Sequence, residues 1–352
     1  MKKINLYCPL GYTGYGITSL NILNELDKRC EVSLFPIGKA NTGLNSLADS
    51  DTINKCIFNA RKFDANAPCL KIWHQHDLAL RIGKGKYYSF PFFELDKLSP
   101  IEIHNINSCD IVFTATNWSK QILIENNITI PIIVCPLGVD NSIFYPRKHN
   151  SDNKYIFFHI GKWEKRKSQD IILQCFERSF TKDDNVELWL CPHNPFLTET
   201  EHRHWVNMVK YHKLADKIRI FPRFPTQNDL ASVISEADCG VFISRAEGWN
   251  NEIIESMSMN KPCIVTNYSA HTQYCTKDNS FLVEVKEKEL ANDDKWFFGQ
   301  GYWAKLGQDE IDSIIDFMRY VYNNNIRTNP EGLKTSNQYS WTETAKIIYE
   351  NL

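Results

Sequence analysis

The stretch "AEGWNNEIIESMS", residues 246–258, lies between two apolar runs, "CGVFIS" (239–244) and "PCIVTN" (262–267). Short apolar runs on either side of a helix-like segment make a βαβ unit, and therefore a parallel sheet. Gly248 and the two asparagines put a polar turn between the first run and the helix. Glu247 then sits at the carboxyl end of a strand, and Glu255 about one turn into the helix that follows. The two carboxylates are expected to face one crevice, an arrangement suited to holding a ligand.

Outward from this unit the same alternation runs through all 352 residues. Before residue 140, strands read at 4–8, 31–36, 69–74, 110–115 and 131–136. Helices read at 17–28 and 117–127, the second with Asn117 or Ser119 as its cap. The segment "GVDNSIFYPRKHNSDNK" (138–154) is polar, contains a proline and has no period, which marks a linker. The pattern then restarts, with strands at 154–160, 186–191, 217–222, 239–244 and 262–267. Helices follow at 168–180, 199–212, 227–237, 251–260, 309–324 and 340–352. The expectation is two doubly wound α/β domains, residues 1–140 and 150–335, with the last helix (341–352) packing back on the first. The length also exceeds that at which one core usually stops growing.

Composition narrows the function classes. A hydrophobic fraction of 43% and 23% charged residues describe an ordinary globular protein, and a net charge of −2 gives no bulk electrostatic case for nucleic acid. The first apolar run ends at Leu10, too short for a signal peptide, and no later run reaches membrane-spanning length. A cytoplasmic protein is expected, with the inner membrane surface as a place of peripheral contact. The eleven cysteines are odd in number, and the closest two, Cys263 and Cys275, are twelve residues apart, so disulfide and zinc frameworks both fail on spacing. Buried free thiols are expected instead.

Four stretches leave strands for helices, where parallel sheets bind ligands. The first, "PLGYTGYG" (9–16), carries Gly11, Gly14 and Gly16, which allow close backbone approach at a helix start that favours an anion. Its glycine order is not G-x-G-x-x-G, which disfavours a dinucleotide. The second, "HIGKWEKRKSQD" (159–170), sets Lys162, Lys165, Arg166 and Lys167 beside Gly161. Four crowded cations are costly unless an anion neutralises them, and a diphosphate is the expected guest; a solvated surface cluster is the competing reading. The opening stretch is the third, and "NYSAHTQY" (267–274) the fourth.

Taken together, "FISRAEGWNNEIIESMSMNKPCIVTNYSAHTQY" (242–274) resembles the donor motif of the retaining glycosyltransferases of family 4, which have the GT-B fold. That motif is Glu, seven residues, Glu, then a helix, a small polar turn, Pro and an apolar strand. The basic loop is similar too, with Lys162 where many members have Arg, and Lys167 further on. "PLGVDNSIFYP" resembles their interdomain segment and "YSWTETAKIIYENL" their closing helix. The likeness is strong over 155–275 and diffuse before 85. It implies two Rossmann-like domains facing across a cleft, the first on the acceptor side and the second binding a nucleotide-diphosphate sugar.

By the same resemblance Glu255 would accept the ribose hydroxyls and Glu247 would touch the donor sugar. Gly248, Trp249, Asn250 and Asn251 would meet the sugar and phosphates. Lys162 and Lys167, with Arg166 beside them, would neutralise the leaving diphosphate. Arg223 and Phe224 would border the base, and Gly14 and Gly16 the donor from the first domain. Members often read Gly-Leu-Pro where Asn250-Asn251-Glu252 stand here, so the space over the sugar is expected to narrow, and Glu252 adds a negative charge near a phosphate. The implied enzyme is a metal-independent, hexosyltransferase-like transferase without a bound cofactor. Its co-substrate would be a UDP- or GDP-sugar and its acceptor a hydroxyl of a glycan, a lipid-linked sugar or another glycoconjugate.

Other residues have two readings. In "WHQHD", His74 and His76 lack a third metal ligand; His76, or else His74, is the candidate histidine near the reacting sugar. Glu94 in "FFELDKLSP" is an acceptor-side carboxylate or a strand-end charge, and His271 lines the donor cleft or packs in the core. "HRHW" (202–205) reads as a solvated helix, and "DSD" (49–51) as a helix cap in preference to a metal-binding Asp-x-Asp. Two alternative functions stand beside transfer: a nucleotide-sugar-binding protein that does not transfer, and a GT-B epimerase or phosphorylase.

Overall fold

A computed structural model describes residues 2–39, 50–148 and 154–352. The chain divides into two compact units, Met1–Asp140 with Tyr339–Leu352, and Asn141–Gln338. Residues 149–153 of the expected linker and Asp49 of the "DSD" run lie outside the described residues.

In the first unit six strands, β1 (Lys3–Cys8), β2 (Glu31–Pro36), β3 (Cys69–Lys71), β4 (Tyr87–Ser89), β5 (Ile111–Thr114) and β6 (Ile132–Val134), form one sheet in the order β2-β1-β3-β4-β5-β6. Every pairing is parallel. Helices α1 (Gly14–Asp27), α2 (Ser50–Ala60), α3 (Pro100–Asn107) and α4 (Asn117–Glu125) connect them. The cap of α4 is Thr116 rather than Asn117 or Ser119: its hydroxyl accepts from the Ser119 amide at 3.0 Å. Helix α3 was not foreseen, although Ser99, Pro100 and Glu102 spell a capping box with proline at the first turn.

In the second unit β7 (Tyr155–Ile160), β8 (Val186–Cys191), β9 (Ile218–Ile220), β10 (Cys239–Phe242), β11 (Cys263–Asn267) and β12 (Phe281–Glu284) form a sheet in the order β12-β11-β10-β7-β8-β9, again wholly parallel. Helices α5 (Gln169–Ser179), α6 (Glu199–Lys210), α7 (Gln227–Glu236) and α8 (Asn251–Ser258) lie between strands. An antiparallel hairpin, β13 (Lys288–Asn292) and β14 (Phe298–Ala304), then precedes α9 (Gln308–Asn323) and α10 (Pro330–Ser336). The core joins Phe157, Leu188, Val241 and Ile264 of the strands to Ile172, Phe176 and Ile314 of the helices. Each such side chain stabilises the fold by roughly 1.5–3 kcal/mol through burial.

The last helix, α11 (Trp341–Glu350), belongs to the first unit, where the Thr344 hydroxyl donates to the Pro136 carbonyl at 2.7 Å. Gly138 makes this possible: a Cβ there would fall 2.1 Å from the Trp341 nitrogen.

Candidate functional site

In the second sheet the chain adds β8 and β9 on one side of β7, then returns to place β10 on the other. That reversal is a topological switch point, and the crevice it opens lies beyond the carboxyl ends of β7 and β10. The loops leaving those two strands carry the basic run and the opening stretch. Gly161 sits at the turn, where a Cβ would press on the Lys167 side chain at 3.2 Å.

The basic run proves to be half of a balanced cluster. Arg166 Nη1 lies 2.8 Å from Glu247 Oε2, and Lys167 Nζ lies 2.9 Å from Glu247 Oε1. Arg166 Nη2 also reaches Glu164 Oε2 at 3.0 Å, and Lys162 Nζ pairs with Glu164 Oε1 at 2.7 Å. Lys167 further approaches Glu252 at 3.6 Å. Lys165 turns away and donates to the Asn292 carbonyl at 2.7 Å. The cations therefore have protein counter-ions in Glu164, Glu247 and Glu252, so their crowding does not by itself demand a diphosphate. Glu164 was overlooked in the sequence because it stands inside a run counted for its lysines.

Arg166, Lys167 and Glu247 are each no more than 6% exposed. Charges so buried cost several kcal/mol apiece and persist only when paired and hydrogen-bonded. Burial alone would raise the Glu247 pKa, but Arg166 and Lys167 outweigh it and hold the carboxyl well below the usual range. Lys167, buried likewise, is held above its ordinary value by Glu247 and Glu252.

The turn that carries Glu247 is templated by the exit from β11. The Glu247 amide donates to Ser269 Oγ at 2.9 Å, and the Ala270 amide donates to the Glu247 carbonyl at 3.2 Å. The Tyr274 hydroxyl reaches the carbonyls of Trp249 and Asn250 at 2.8 and 2.9 Å. His271 completes the clamp. Burial pushes its pKa down to about 4, so the ring is neutral; its Nδ1 faces the Thr266 carbonyl at 2.9 Å and its Nε2 faces Asn250 Nδ2, also at 2.9 Å. The network assigns the proton to Nδ1. With both nitrogens engaged and the ring fully buried, His271 holds the turn and does not line a cleft.

Asn250 has φ of 77°, the left-handed conformation that glycine adopts at low cost and that asparagine tolerates better than other residues. The Asn-Asn-Glu departure is thus accommodated in the backbone, and the Asn250 side chain is turned inward to His271 instead of narrowing the space above the turn. Asn251 opens α8, and its buried Oδ1, like that of Asn250, has no hydrogen-bond partner among the described residues. Trp249 packs on Tyr274 with ring centroids 5.0 Å apart and is 4% exposed. Gly248 is buried in the same turn.

Glu255 lies on the first turns of α8 and is 7% exposed. Its carboxyl makes no ion pair or side-chain hydrogen bond among the described residues. Burial, helped by Glu252, pushes its pKa up to about 8. A buried acid without a partner is costly in either protonation state unless something supplies hydrogen bonds.

The remaining candidates sit elsewhere. Arg223 and Phe224 follow β9, separated from β7 by β8, and Phe224 packs on Phe221. Gly14, Gly16, His74, His76 and Glu94 belong to the first unit. That sheet also reverses, at β1 and β3, and a ring cluster gathers beyond those strand ends. Tyr15 contacts His74, Trp73 and Phe92 at centroid distances of 4.6, 5.5 and 5.0 Å, and His74 stacks on His76 at 5.2 Å. Tyr15, not singled out in the sequence, accepts from the Phe92 amide at 2.9 Å and so fixes the approach to Glu94. The segment with both histidines is held from below by Lys71, 1% exposed, which donates to the Leu80 carbonyl at 3.2 Å. Gly16 is required sterically, since a Cβ would fall 2.4 Å from the Gly11 carbonyl oxygen; at Gly14 a Cβ would meet nothing within 4 Å.

Residues 154–293 match the family model for glycosyl transferases group 1. The matched segment contains the whole charged cluster, the turn and Glu255. Solved structures similar to the full chain include sucrose-phosphate synthase from Thermosynechococcus elongatus, at 13% identity and a TM-score of 0.73, covering 100% of this chain and 98% of that one. HepE from Anabaena in complex with UDP-glucose gives 14% identity and a TM-score of 0.68, covering 100% and 99%. TarM from S. aureus gives 15% identity and a TM-score of 0.60 over 84% of this chain and 56% of that one. No curated protein matches the sequence. The fold is the α/β GT-B fold, with two parallel six-stranded sheets.

Proposed function

We propose that the protein is a retaining glycosyltransferase of family 4 that moves a sugar from a nucleoside-diphosphate donor to a hydroxyl acceptor. One observation carries the reading: within the segment that matches the glycosyl transferases group 1 model, the loops and helix that leave the two switch-point strands carry a buried cation pair and two glutamates of opposite condition. Glu247 is ionised and held between Arg166 and Lys167, whereas the buried Glu255 carboxyl has no side-chain partner among the described residues. Glu255 supplies paired acceptors for the ribose hydroxyls. Lys167 and Lys162 exchange carboxylate for diphosphate oxygens, aided by the amides of Gly248 to Asn251 at the start of α8. Glu247, released from part of its pairing, takes the donor sugar's hydroxyls.

In the transfer step the bond from C1 of the sugar to the diphosphate oxygen breaks, and a bond from C1 to the acceptor oxygen forms on the same face. The acceptor's proton passes to the departing diphosphate oxygen, so the step needs neither a metal nor a carboxylate nucleophile. The second unit is assigned the donor and the first the acceptor, with His76, His74 and Glu94 as its polar groups and Arg223 and Phe224 bordering the base. HepE, whose solved complexes contain UDP and UDP-glucose, favours a UDP-sugar over a GDP-sugar. No helix among the described residues is long and apolar enough to cross a membrane; a cytoplasmic enzyme that meets a glycan or lipid-linked acceptor at the inner membrane surface fits the reading.

A thermal-shift series with UDP-, GDP-, ADP- and dTDP-sugars, followed by donor hydrolysis without acceptor, tests this. A rise in melting temperature with a UDP- or GDP-sugar and slow release of the nucleoside diphosphate are expected. Stabilisation without hydrolysis or transfer would instead support a binding protein, and no response to any donor would overturn the assignment.

A further inference from the structure

Beside the charged cluster, and bordered by Trp163, Glu164 and Lys165, the second unit contains a cavity of about 400 Å³ that the transfer reading does not use. The volume falls within the range of small-molecule sites. Its apolar surface is mostly indole, with Leu197 beside it. Trp205, half-buried on α6, stacks parallel on the buried Trp163 with centroids 5.0 Å apart and 9° between planes. Trp296, at the tip of the β13–β14 hairpin, is 48% exposed and braced edge-on by Phe196 at 5.9 Å.

The polar part of the wall is fixed before any ligand arrives. Asp293 Oδ1 accepts from the amides of Lys295, Trp296 and Phe297 at 3.0, 2.8 and 2.8 Å, and Oδ2 makes no hydrogen bond among the described residues. Glu201 is held by Lys295 Nζ at 2.8 Å and caps its helix through Thr198, and Glu164 is held by Lys162 and Arg166. The Thr200 hydroxyl and the exposed His204 ring, which meets Trp205 edge-on, add polar groups at the rim without a hydrogen bond among the described residues.

These features choose a ligand class. A phosphate finds the two lysines of the wall already engaged, Lys295 on Glu201 and Lys165 on the Asn292 carbonyl. A simple cation finds the carboxylates of Glu164 and Glu201 already paired. A purely apolar ligand would strip water from these fixed acceptors without replacing its hydrogen bonds. A ligand with one apolar face of C–H groups and an edge of hydroxyls satisfies both parts of the wall, the first on the indoles and the second on Asp293, Thr200 and Glu201.

We propose that this cavity is a binding subsite for a neutral pyranose unit of a glycan, distinct from the donor crevice although Glu164 belongs to the walls of both. The inference does not depend on the transfer reading. The hairpin that carries Trp296 and Asp293 is locked to the 163–165 segment by Lys165, which donates to the Asn292 carbonyl, and to the loop after β10 by Arg245, which pairs with Glu289 at 3.0 Å.

The test is a titration of the full chain with maltotriose, cellotriose and chitotriose, followed by tryptophan fluorescence and by saturation-transfer NMR, with UDP titrated in parallel. Saturable binding of at least one trisaccharide, of about millimolar affinity, is expected. Trp296→Ala should weaken it at least about tenfold, through loss of an exposed stacking face, and leave UDP affinity unchanged. Should Trp296→Ala lower the melting temperature appreciably, His204→Ala takes its place, with a loss of about threefold expected for a rim contact. No saturable response to any of the three up to about 50 mM, or binding unaltered in both variants, overturns the subsite. Failure of UDP to bind bears on the donor reading alone.

Discussion

Replacing Glu255 by glutamine removes a buried acid and keeps its shape. In the folded protein the carboxyl pKa rises from 4.5 to about 8, chiefly by burial, so between those values the folded state keeps a proton that the unfolded chain gives up. Stability must then fall as pH rises through this window, because the folded state binds more protons. The full displacement corresponds to about 5 kcal/mol above pH 8 and about 3 kcal/mol near neutrality, a large part of a typical domain's stability. Urea unfolding of parent and Glu255→Gln at about pH 5, 7 and 8.5 reads it directly: near-equal stabilities at the lowest pH, and a growing advantage for the variant above it. A difference that does not change with pH would refute the buried, unpartnered acid. The same residue then predicts binding. If ribose hydroxyls donate to the carboxylate, nucleoside diphosphate binding expels a proton, and parent affinity should tighten by up to about tenfold per pH unit below 8 while the variant stays flat. Calorimetry showing identical pH profiles for the two would remove Glu255 from the ribose site.

Lys167→Met removes one of the two cations on Glu247, so the variant should unfold about 3–5 kcal/mol more easily and bind nucleoside diphosphate one to two decades more weakly; unchanged melting and affinity would clear Lys167 of both roles. Glu247→Gln frees Arg166 and Lys167 from their shared counter-ion, so free diphosphate should bind at least as tightly as in the parent while kcat for transfer drops; a joint loss of both would show that Glu247 shapes the phosphate site instead of the sugar site. Asn250→Gly should keep the left-handed turn and lose only the His271 contact, whereas Asn250→Val should cost about 1–3 kcal/mol through backbone strain; equal stabilities of the two variants in thermal melts would argue that the conformation at φ 77° is unimportant.

The fold was legible where apolar runs were long and unbroken. "YIFFHI" and "CGVF" are buried along nearly their full length at the centre of their sheet, and such runs have no other use in a chain of this composition. Strand β4 was missed because its Tyr-Tyr-Ser carries no aliphatic residue, unlike the equally short β3, β6 and β9, and the β13–β14 hairpin because its period-two pattern exposes Leu290, Phe298 and Tyr302 outward. At the site, spacing alone found Glu247 and Glu255. It could not find their opposite ionisation, which depends on Arg166 and Lys167 folding toward one carboxylate and not the other. Nor does any local signal announce that Ser269, His271 and Tyr274 template a turn twenty residues earlier; that information resides in the pairing of β10 with β11. "HRHW" shows the same limit, since His202 and His204 are exposed as expected while Trp205 stacks on Trp163.

The self-neutralised cluster has a kinetic consequence. Lys162, Arg166 and Lys167 are matched by Glu164, Glu247 and Glu252 within a few ångströms, so beyond a Debye length of about 8 Å the crevice presents little net field. A dianionic ligand is not drawn in from a distance, as it would be by a bare patch of lysines. Its capture rate should depend only weakly on ionic strength, and discrimination must come at contact, where only a ligand able to replace carboxylate oxygens on two buried cations can displace them.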